Sequence, residues 1–323
     1  HRLCGQTVLD YSSALGYPRN VKNMEWNSRL SRGFAVSRIP QLVRPTKIVG
    51  SVSRRAARLC GLPPNLPVAA GGLDTACAAL AVGATEPGRT FEVSGSSGGL
   101  GVIAGSPCSE PRLGVSHHVL PGLFINHAPL SAAGSSLEWC RRQLCIQDVL
   151  SEEEGSPPYA VLEQKVLEHG NDPSGLIFLP YLAGERAPIW DPETRGAFLG
   201  LTLSTSHAQV IKAVMEGGAF ALRQNITLLE DSGMPVEELR SAGGGSESIT
   251  WCQIKADITD QAVAVFSHRR NAAFGAALLA GMATKAWTSE DIDAALDREE
   301  PAIYLPREDV TARYAPYQRA YEE

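Results

Sequence analysis

Three glycine-rich turns in fixed order constrain this chain more than any other feature: Gly71-Gly72-Leu73-Asp74, then Ser94-Gly95-Ser96-Ser97-Gly98, then Gly243-Gly244-Gly245-Ser246. Glycine permits backbone conformations and close approaches that a Cβ forbids, so each turn marks a place where another group comes near the main chain. The first turn ends in a carboxylate. The second offers consecutive small residues whose N–H groups can cradle an anion, and the third lets another segment approach a flat ligand closely. One such turn alone is a tight bend, whereas the three together read as a nucleotide site with its own base.

The flanking residues place these turns on regular elements. Thr90, Phe91 and Val93 predict a short strand over Arg89 to Val93, and Leu100 to Ile103 resumes an apolar run, which puts Ser94 to Gly99 at the tip of a hairpin. Pro67 to Ala70 reads as a strand leading to Asp74, and Asp74 as the N-cap of a small-residue helix over Thr75 to Val82. Leu176 to Leu182 reads as a buried strand. Ser206-His-Ala-Gln209 has capping-box spacing, and Val210, Ala213, Val214, Gly217 and Ala221 form a helical stripe that stops near Gly233. Ala272 to Ala283, behind an Asn271 cap, is a buried Ala/Gly-rich helix far short of a membrane span. Alternating strand and helix signals indicate an α/β protein. No GxGxxG or Walker A pattern occurs, which disfavours a Rossmann dehydrogenase or a P-loop NTPase.

At 323 residues the chain exceeds the usual single domain, and 44% hydrophobic residues suffice for a sizeable core. A net charge of −6 argues against a nucleic-acid or anionic-membrane surface, with Arg54-Arg55 and Arg269-Arg270 expected on solvated faces. Seven cysteines at irregular spacing suggest reduced, mostly buried thiols and a cytoplasmic protein. Cys140 and Cys145 lack the spacing of a redox or zinc pair. His117, His118 and His127 lack paired-ligand spacing and are expected at strand edges or in loops, so no metal site is assigned to the chain's own residues. Glu152-Glu153-Glu154 before Gly155-Ser-Pro-Pro158 reads as a charged loop.

Several motifs carry a family resemblance. Asp74 with Thr75-Ala-Cys-Ala-Ala-Leu-Ala-Val-Gly83, the Gly-Ser-Ser-Gly turn and Leu179-Pro-Tyr-Leu-Ala-Gly-Glu-Arg-Ala-Pro-Ile-Trp-Asp191 resemble the FGGY family of carbohydrate kinases, most of all its xylulokinase-like members. Gly196-Ala-Phe-Leu-Gly200-Leu201, seven residues, then Gln209-Val210-Ile-Lys-Ala213-Val214-Met215-Glu216 is similar to the family's C-terminal signature. Ser241-Ala-Gly-Gly-Gly-Ser-Glu-Ser248, with Asp257 downstream, resembles its adenosine-side motif.

The resemblance implies an actin-like, ribonuclease H-like ATPase fold. It implies ATP and Mg²⁺ as cofactors, and phosphorylation of a sugar hydroxyl, of a ketopentose or related polyol, in a cleft between two domains. Asp74 would be the general base, accepting the proton of an otherwise weak nucleophile. Gly95, Ser96, Ser97 and Gly98 would hold the phosphates, Ser96 standing for the family's usual Thr and keeping its hydroxyl. Gly243, Gly244, Gly245, Ser246 and Ser248, with a helix near Phe274-Gly275-Ala276, would hold the adenosine. Asp10 and Tyr11 are either substrate-side residues or a turn in which Asp10 caps the residues after it. Glu185 and Arg186 read as a loop whose ion pairs brace the cleft.

Nothing ahead of Asp10 resembles the family's Asp-x-Gly-Thr-type loop, so the expectation is a C-terminal portion with the N-terminal domain largely missing. Residues 1–86 would be the remnant of that sugar-binding domain and 87–323 the nucleotide-binding domain. Such a chain would hold nucleotide weakly and turn over no sugar by itself. The alternative is a catalytically silent nucleotide-binding or scaffold protein derived from such a kinase. The partners implied are a small sugar and ATP, with no nucleic acid and no membrane. A homodimer is left open.

Overall fold

The computed structural model describes residues 1–14, 19–20, 25–27, 29, 38–146, 159–267, 270–296 and 298–323. The acidic stretch Glu152-Glu153-Glu154-Gly155-Ser156-Pro157-Pro158 and Arg269 lie outside the described residues.

The first 70 residues contribute short paired strands. β1 (Val8–Asp10) runs parallel to β4 (Gln41–Val43), β2 (Arg19–Asn20) pairs with β3 (Glu25–Trp26), and β5 (Ile48–Ser51) with β6 (Pro67–Ala69). Helix α1 (Arg54–Cys60) lies between β5 and β6, and Gly72-Leu73 leads into α2 (Asp74–Ala81).

The rest is built on a seven-stranded sheet. Its strands are β7 (Thr90–Ser94), β8 (Gly98–Ala104), β9 (Gly114–His117), β10 (Phe124–Leu130), β13 (Glu238–Ala242), β14 (Ala262–Val265) and β15 (Ala302–Tyr304), in the order β15-β14-β13-β7-β8-β10-β9. The predicted hairpin is present: β7 and β8 are antiparallel, with Ser94 opposite Gly98. β7, β13 and β14 run parallel, and β15 closes that edge in the antiparallel sense. β11 (Ile177–Leu179) pairs separately with β12 (Ala197–Leu199).

Strand periodicity sends alternate side chains to opposite faces of the sheet, and both faces are covered. Phe91, Ile103, Ile125 and Ala264 face α2 and α7 (Ala272–Ala283). Leu100, Val102, Leu239 and Val263 face α5 (His207–Asp231) and α6 (Ile249–Thr259). α3 (Ala133–Gln143), α4 (Ala160–His169) and α9 (Glu308–Glu322) complete the second layer, and α8 (Ser289–Leu296) lies beyond α7. The arrangement is the mixed α/β architecture expected.

The 25-residue α5 begins at the predicted box, in which Ser206 Oγ accepts from Gln209 N while Gln209 Oε1 accepts from Ser206 N. It is buried on most sides between Ile211 and Leu229 and ends ahead of Gly233. Lys212 and Glu216 of its signature work structurally. Lys212 Nζ donates to the carbonyls of Gly170 and Asp172, and Glu216 accepts from Ser174 and Tyr314.

Other expectations need correcting. α7 carries its predicted Asn271 cap but is buried on one face only, at Gly275, Leu278 and Leu279. Gly275 lies against Cys77, where a Cβ would fall 1.9 Å from the Cys77 carbonyl oxygen, so this helix packs on α2 and does not line the candidate nucleotide cleft. His127 sits within β10, which is paired on both sides, so it is not the edge or loop residue expected; His117, the last residue of edge strand β9, and His118, just past it, hold the expected positions, and both are buried. Arg270 is also buried, bonded to Glu299 and stacked over Phe266, so it is not a solvated charge. Among the described residues, no helix is long and apolar enough to cross a membrane.

Candidate functional site

The tip of the β7–β8 hairpin is locked to the start of α3. Gly134 N donates to Gly95 O at 3.1 Å, and the Ser135 amide and hydroxyl both donate to Ser96 O at 2.8 Å. Gly134 must be glycine, because a Cβ there would stand 2.3 Å from Gly95 O. With the Gly95 and Ser96 carbonyls turned into α3, planar trans peptides point the N–H groups of Ser96 and Ser97 the opposite way. Gly95 N–H is already used within the tip, donating to Ser97 O at 3.0 Å, and Gly98 is a strand residue paired with Ser94. Of the four residues expected to cradle phosphate, exposed Ser96 and Ser97 carry amides that donate to no acceptor among the described residues.

The third glycine turn docks on the same strand end. Gly243 has φ 94°, and a Cβ there would lie 2.7 Å from Ser94 O; at Gly245 it would lie 2.6 Å from Ser94 Cβ and 2.9 Å from the Trp251 ring. The Ser246 amide and hydroxyl close the turn onto Gly243 O at 3.0 and 2.7 Å. Ser248 then caps α6, its Oγ accepting from Trp251 N at 3.1 Å while its hydroxyl donates to Glu163.

Between the two turns lies a cleft of ≈ 680 Å³. Gly95, Ser96, Gly134, Gly244, Gly245 and Ser248 line it together with the rings of Tyr159 and Trp251 and the carboxylates of Glu138, Glu163 and Glu247. Its size falls in the range of small-molecule sites. Free amides at a tight turn suit phosphate, aromatic faces suit a base, and the carboxylates can accept from ribose hydroxyls, so the residues present fit a nucleotide. Tyr159 Oη donates to Glu138 at 2.7 Å. Burial opposes ionisation of Glu138, but Tyr159 and Arg142 hold its carboxyl below the ordinary value.

Sequence reasoning missed Gly134, Glu138, Tyr159, Glu163 and Trp251. The run Ser131-Ala-Ala-Gly-Ser-Ser136 after a strand was a signal that could have found the first of them. Of the adenosine-side candidates, Gly244, Gly245 and Ser248 reach the cleft, while Gly243 and Ser246 build the turn behind it. Asp257 is turned away altogether: it is fully buried and bonded to Arg307 of the segment entering α9.

Asp74 and Asp10 form a second group, outside the lining of the cleft. Asp74 is not the N-cap expected; Leu73 holds that position, and exposed Asp74 is the first helical residue, accepting from Thr75 N at 2.7 Å. Asp10 is buried and accepts from the amides of Ser12 and Ser13 at 2.9 and 3.2 Å, the turn anticipated for it. Ser12 Oγ donates to Asp10 and accepts from Leu73 N at 2.8 Å, which joins the two segments. Between them the Cys77 thiol is pushed up to about 11, by burial first and then by the charges of Asp10 and Asp74. Tyr11 lies beside the His117 ring, with centroids 6.3 Å apart.

Glu185 braces through backbone hydrogen bonds, with the neighbouring Arg186 charge adding attraction. It accepts from the amides of Ser131 and Arg186 at 2.7 Å, and the Arg186 guanidinium donates to Leu130 O. Burial raises the Glu185 carboxyl. This loop thus fixes the link between β10 and α3. Among the described residues no three His, Cys, Asp or Glu side chains gather as a metal cage.

Comparison with known proteins agrees with the geometry. Residues 92–284 match the C-terminal domain of the FGGY family of carbohydrate kinases, and residues 1–81 match its N-terminal domain. The expectation that the N-terminal domain is largely missing is not borne out, since that match takes in most of the chain ahead of the sheet. The chain is 30% identical over 290 residues to a gluconokinase of Bacillus subtilis, covering 88% of the chain and 56% of that protein. It is 30% identical over 321 residues to a xylulose kinase of the same organism, covering 97% and 62%. The crystal structure of a Brucella ovis xyloylose kinase superposes with a TM-score of 0.83 at 28% identity, over 99% of the chain and 65% of that structure. The chain thus spans about three-fifths of the length of these relatives.

Proposed function

The chain belongs to the FGGY family of carbohydrate kinases, and from that premise we propose that its protein transfers the γ-phosphoryl group of ATP to a hydroxyl of a small sugar, a xylulose-like ketopentose or a related polyol or sugar acid. The observation that carries this reading is the convergence of the Ser94–Gly98 and Gly243–Ser248 turns on one cleft with aromatic walls.

In this reading the Ser96 and Ser97 amides meet the phosphates, and Gly244 and Gly245 let the adenosine lie against the backbone, with Ser248 at its edge. Mg²⁺, when bound with the nucleotide, would supply charge neutralisation at the phosphates, and among the described residues no carboxylate cluster would hold it by itself. Asp74 accepts the proton of the attacking hydroxyl, and its exposure at the head of α2 leaves it free to do so. Asp10 and Tyr11 lie on the sugar side. Residues 1–86 form part of the sugar-binding domain and 87–323 the nucleotide-binding domain.

The test is ADP release by the intact protein across a panel of ketopentoses, polyols and sugar acids, with nucleotide binding measured in parallel. Sugar-dependent ADP release supports the kinase. Nucleotide binding without turnover on any sugar would favour a silent nucleotide-binding protein, and absence of nucleotide binding would remove both readings.

A further inference from the structure

Beneath the hairpin tip lies a buried ionic network that the chemistry above does not use. Lys255 of α6 is almost wholly buried, and its Nζ donates to Glu92 Oε2 at 3.0 Å, Ser94 Oγ at 2.9 Å and Ser241 Oγ at 3.4 Å. The Ser94 and Ser241 hydroxyls in turn donate to the two oxygens of Glu92. Burial alone would push the ammonium down, but the Glu92 carboxylate beside it holds it above the ordinary lysine value.

A buried ion pair seldom adds net stability over an apolar pair of the same shape, because both ions lose their hydration. Its position here is informative. The network joins β7, β13 and α6, the elements from which both turns arise, and Ser94 is the member that lines the cleft. Ser94 is also the residue against which Gly243 and Gly245 pack, and it lines the cleft immediately before Gly95.

We propose that Lys255 and Glu92 are positioning residues for the nucleotide phosphates: they fix the Ser94 hydroxyl, and through it the angle at which the Ser96 and Ser97 amides are presented. This rests on the reading of the cleft as a nucleotide site. The network reaches the phosphate end through Ser94; on the other side Lys255 Nζ lies over the Trp251 ring, 5.6 Å from its centroid, a contact that Ser94→Ala leaves in place. Disturbing it at Ser94 therefore removes the affinity contributed by the phosphates and spares that of the nucleoside.

The experiment compares ADP and adenosine binding, by calorimetry or competition, in the wild-type chain, in Ser94→Ala, and in the double variant Glu92→Gln/Lys255→Met, which removes both charges together. Ser94→Ala leaves the ion pair in place and decides the question if the double variant does not fold. Loss of a hydrogen bond from a charged group corresponds to roughly tenfold weaker ADP binding, with adenosine changed less than about twofold. Wild-type affinity for ADP in a folded variant overturns the proposal, and so does an equal loss for both ligands in Ser94→Ala, which marks a merely structural role. A wild-type chain that binds neither ligand removes the nucleotide reading itself.

Discussion

The Leu73 amide donates to Ser12 Oγ at 2.8 Å across 61 residues of sequence. Leu73 occupies the N-cap position of α2 and has no side chain able to cap it, so its conformation is held from outside the helix. Ser12 is fully buried and is itself held by Asp10. A hydroxyl in the N-terminal segment thereby sets where Asp74 emerges.

Ser12→Ala is expected to leave the Leu73 donor unsatisfied and to lower unfolding free energy by about 1–3 kcal/mol. ADP affinity should not change, since this segment does not line the cleft. Urea denaturation and calorimetry check the two halves separately.

Asp74→Asn keeps the size of the side chain and its acceptor for Thr75 N but removes the proton acceptor proposed for catalysis. In the intact protein kcat should fall about 10²-fold or more with ADP affinity preserved. Retention of over half the turnover would remove Asp74 from the mechanism.

Two glycines on the cleft should respond in opposite ways. Gly134→Ala drives a methyl into the Gly95 carbonyl and should cost about 1–3 kcal/mol together with most of the nucleotide affinity. Gly244→Ala places its methyl where nothing lies within 4 Å, so the fold should be unchanged in a thermal melt. Equal melting curves for the two variants would show that the hairpin is not locked to α3.

Stability should depend on pH through buried groups of opposite sign, His118 and His127 on the acid side and Glu216 on the alkaline side. Burial pushes His118 down to about 4, against 6.5 for a free imidazole. The stability it contributes is complete above 6.5 and is lost as pH falls through about 4, up to about 3 kcal/mol in all. Burial lifts the Glu216 carboxyl to about 7 from an ordinary 4.5, so its contribution is complete below 4.5 and is lost as pH rises through about 7. Chemical denaturation from pH 4 to 8 should show His118→Gln flattening the acid limb and Glu216→Gln the alkaline limb.

Much of the fold was legible where local signals agreed with one another. The β7–β8 hairpin announced itself through β-branched and apolar runs on either side of a glycine turn. α5 did so through a capping box, a 3.6-residue stripe and a terminal glycine. What escaped depends on partners distant in sequence. The small-residue run around Gly134 marks a tight strand-to-helix turn, but what requires a glycine there is the Gly95 carbonyl 39 positions earlier. Lys255 looks like a solvated lysine until β7 and β13 supply Glu92 and the two serines. Asp257 followed the motif downstream of the glycine turn, yet the helical period carries it to the side facing Arg307.

That last ion pair reaches further than its place in the fold suggests. Asp257 lies on the helix that presents Ser248, Trp251 and Lys255, and its charge is answered by Arg307, whose amide also donates to it at 2.9 Å. Trimming the chain ahead of Arg307 would leave a buried carboxylate without that counter-charge, held by the Gln253 amide at 3.1 Å, on the helix that forms the cleft wall. The closing helix is thus a counterweight for the Trp251 side of the cleft, and a shortened version of this protein should show its first slackness there.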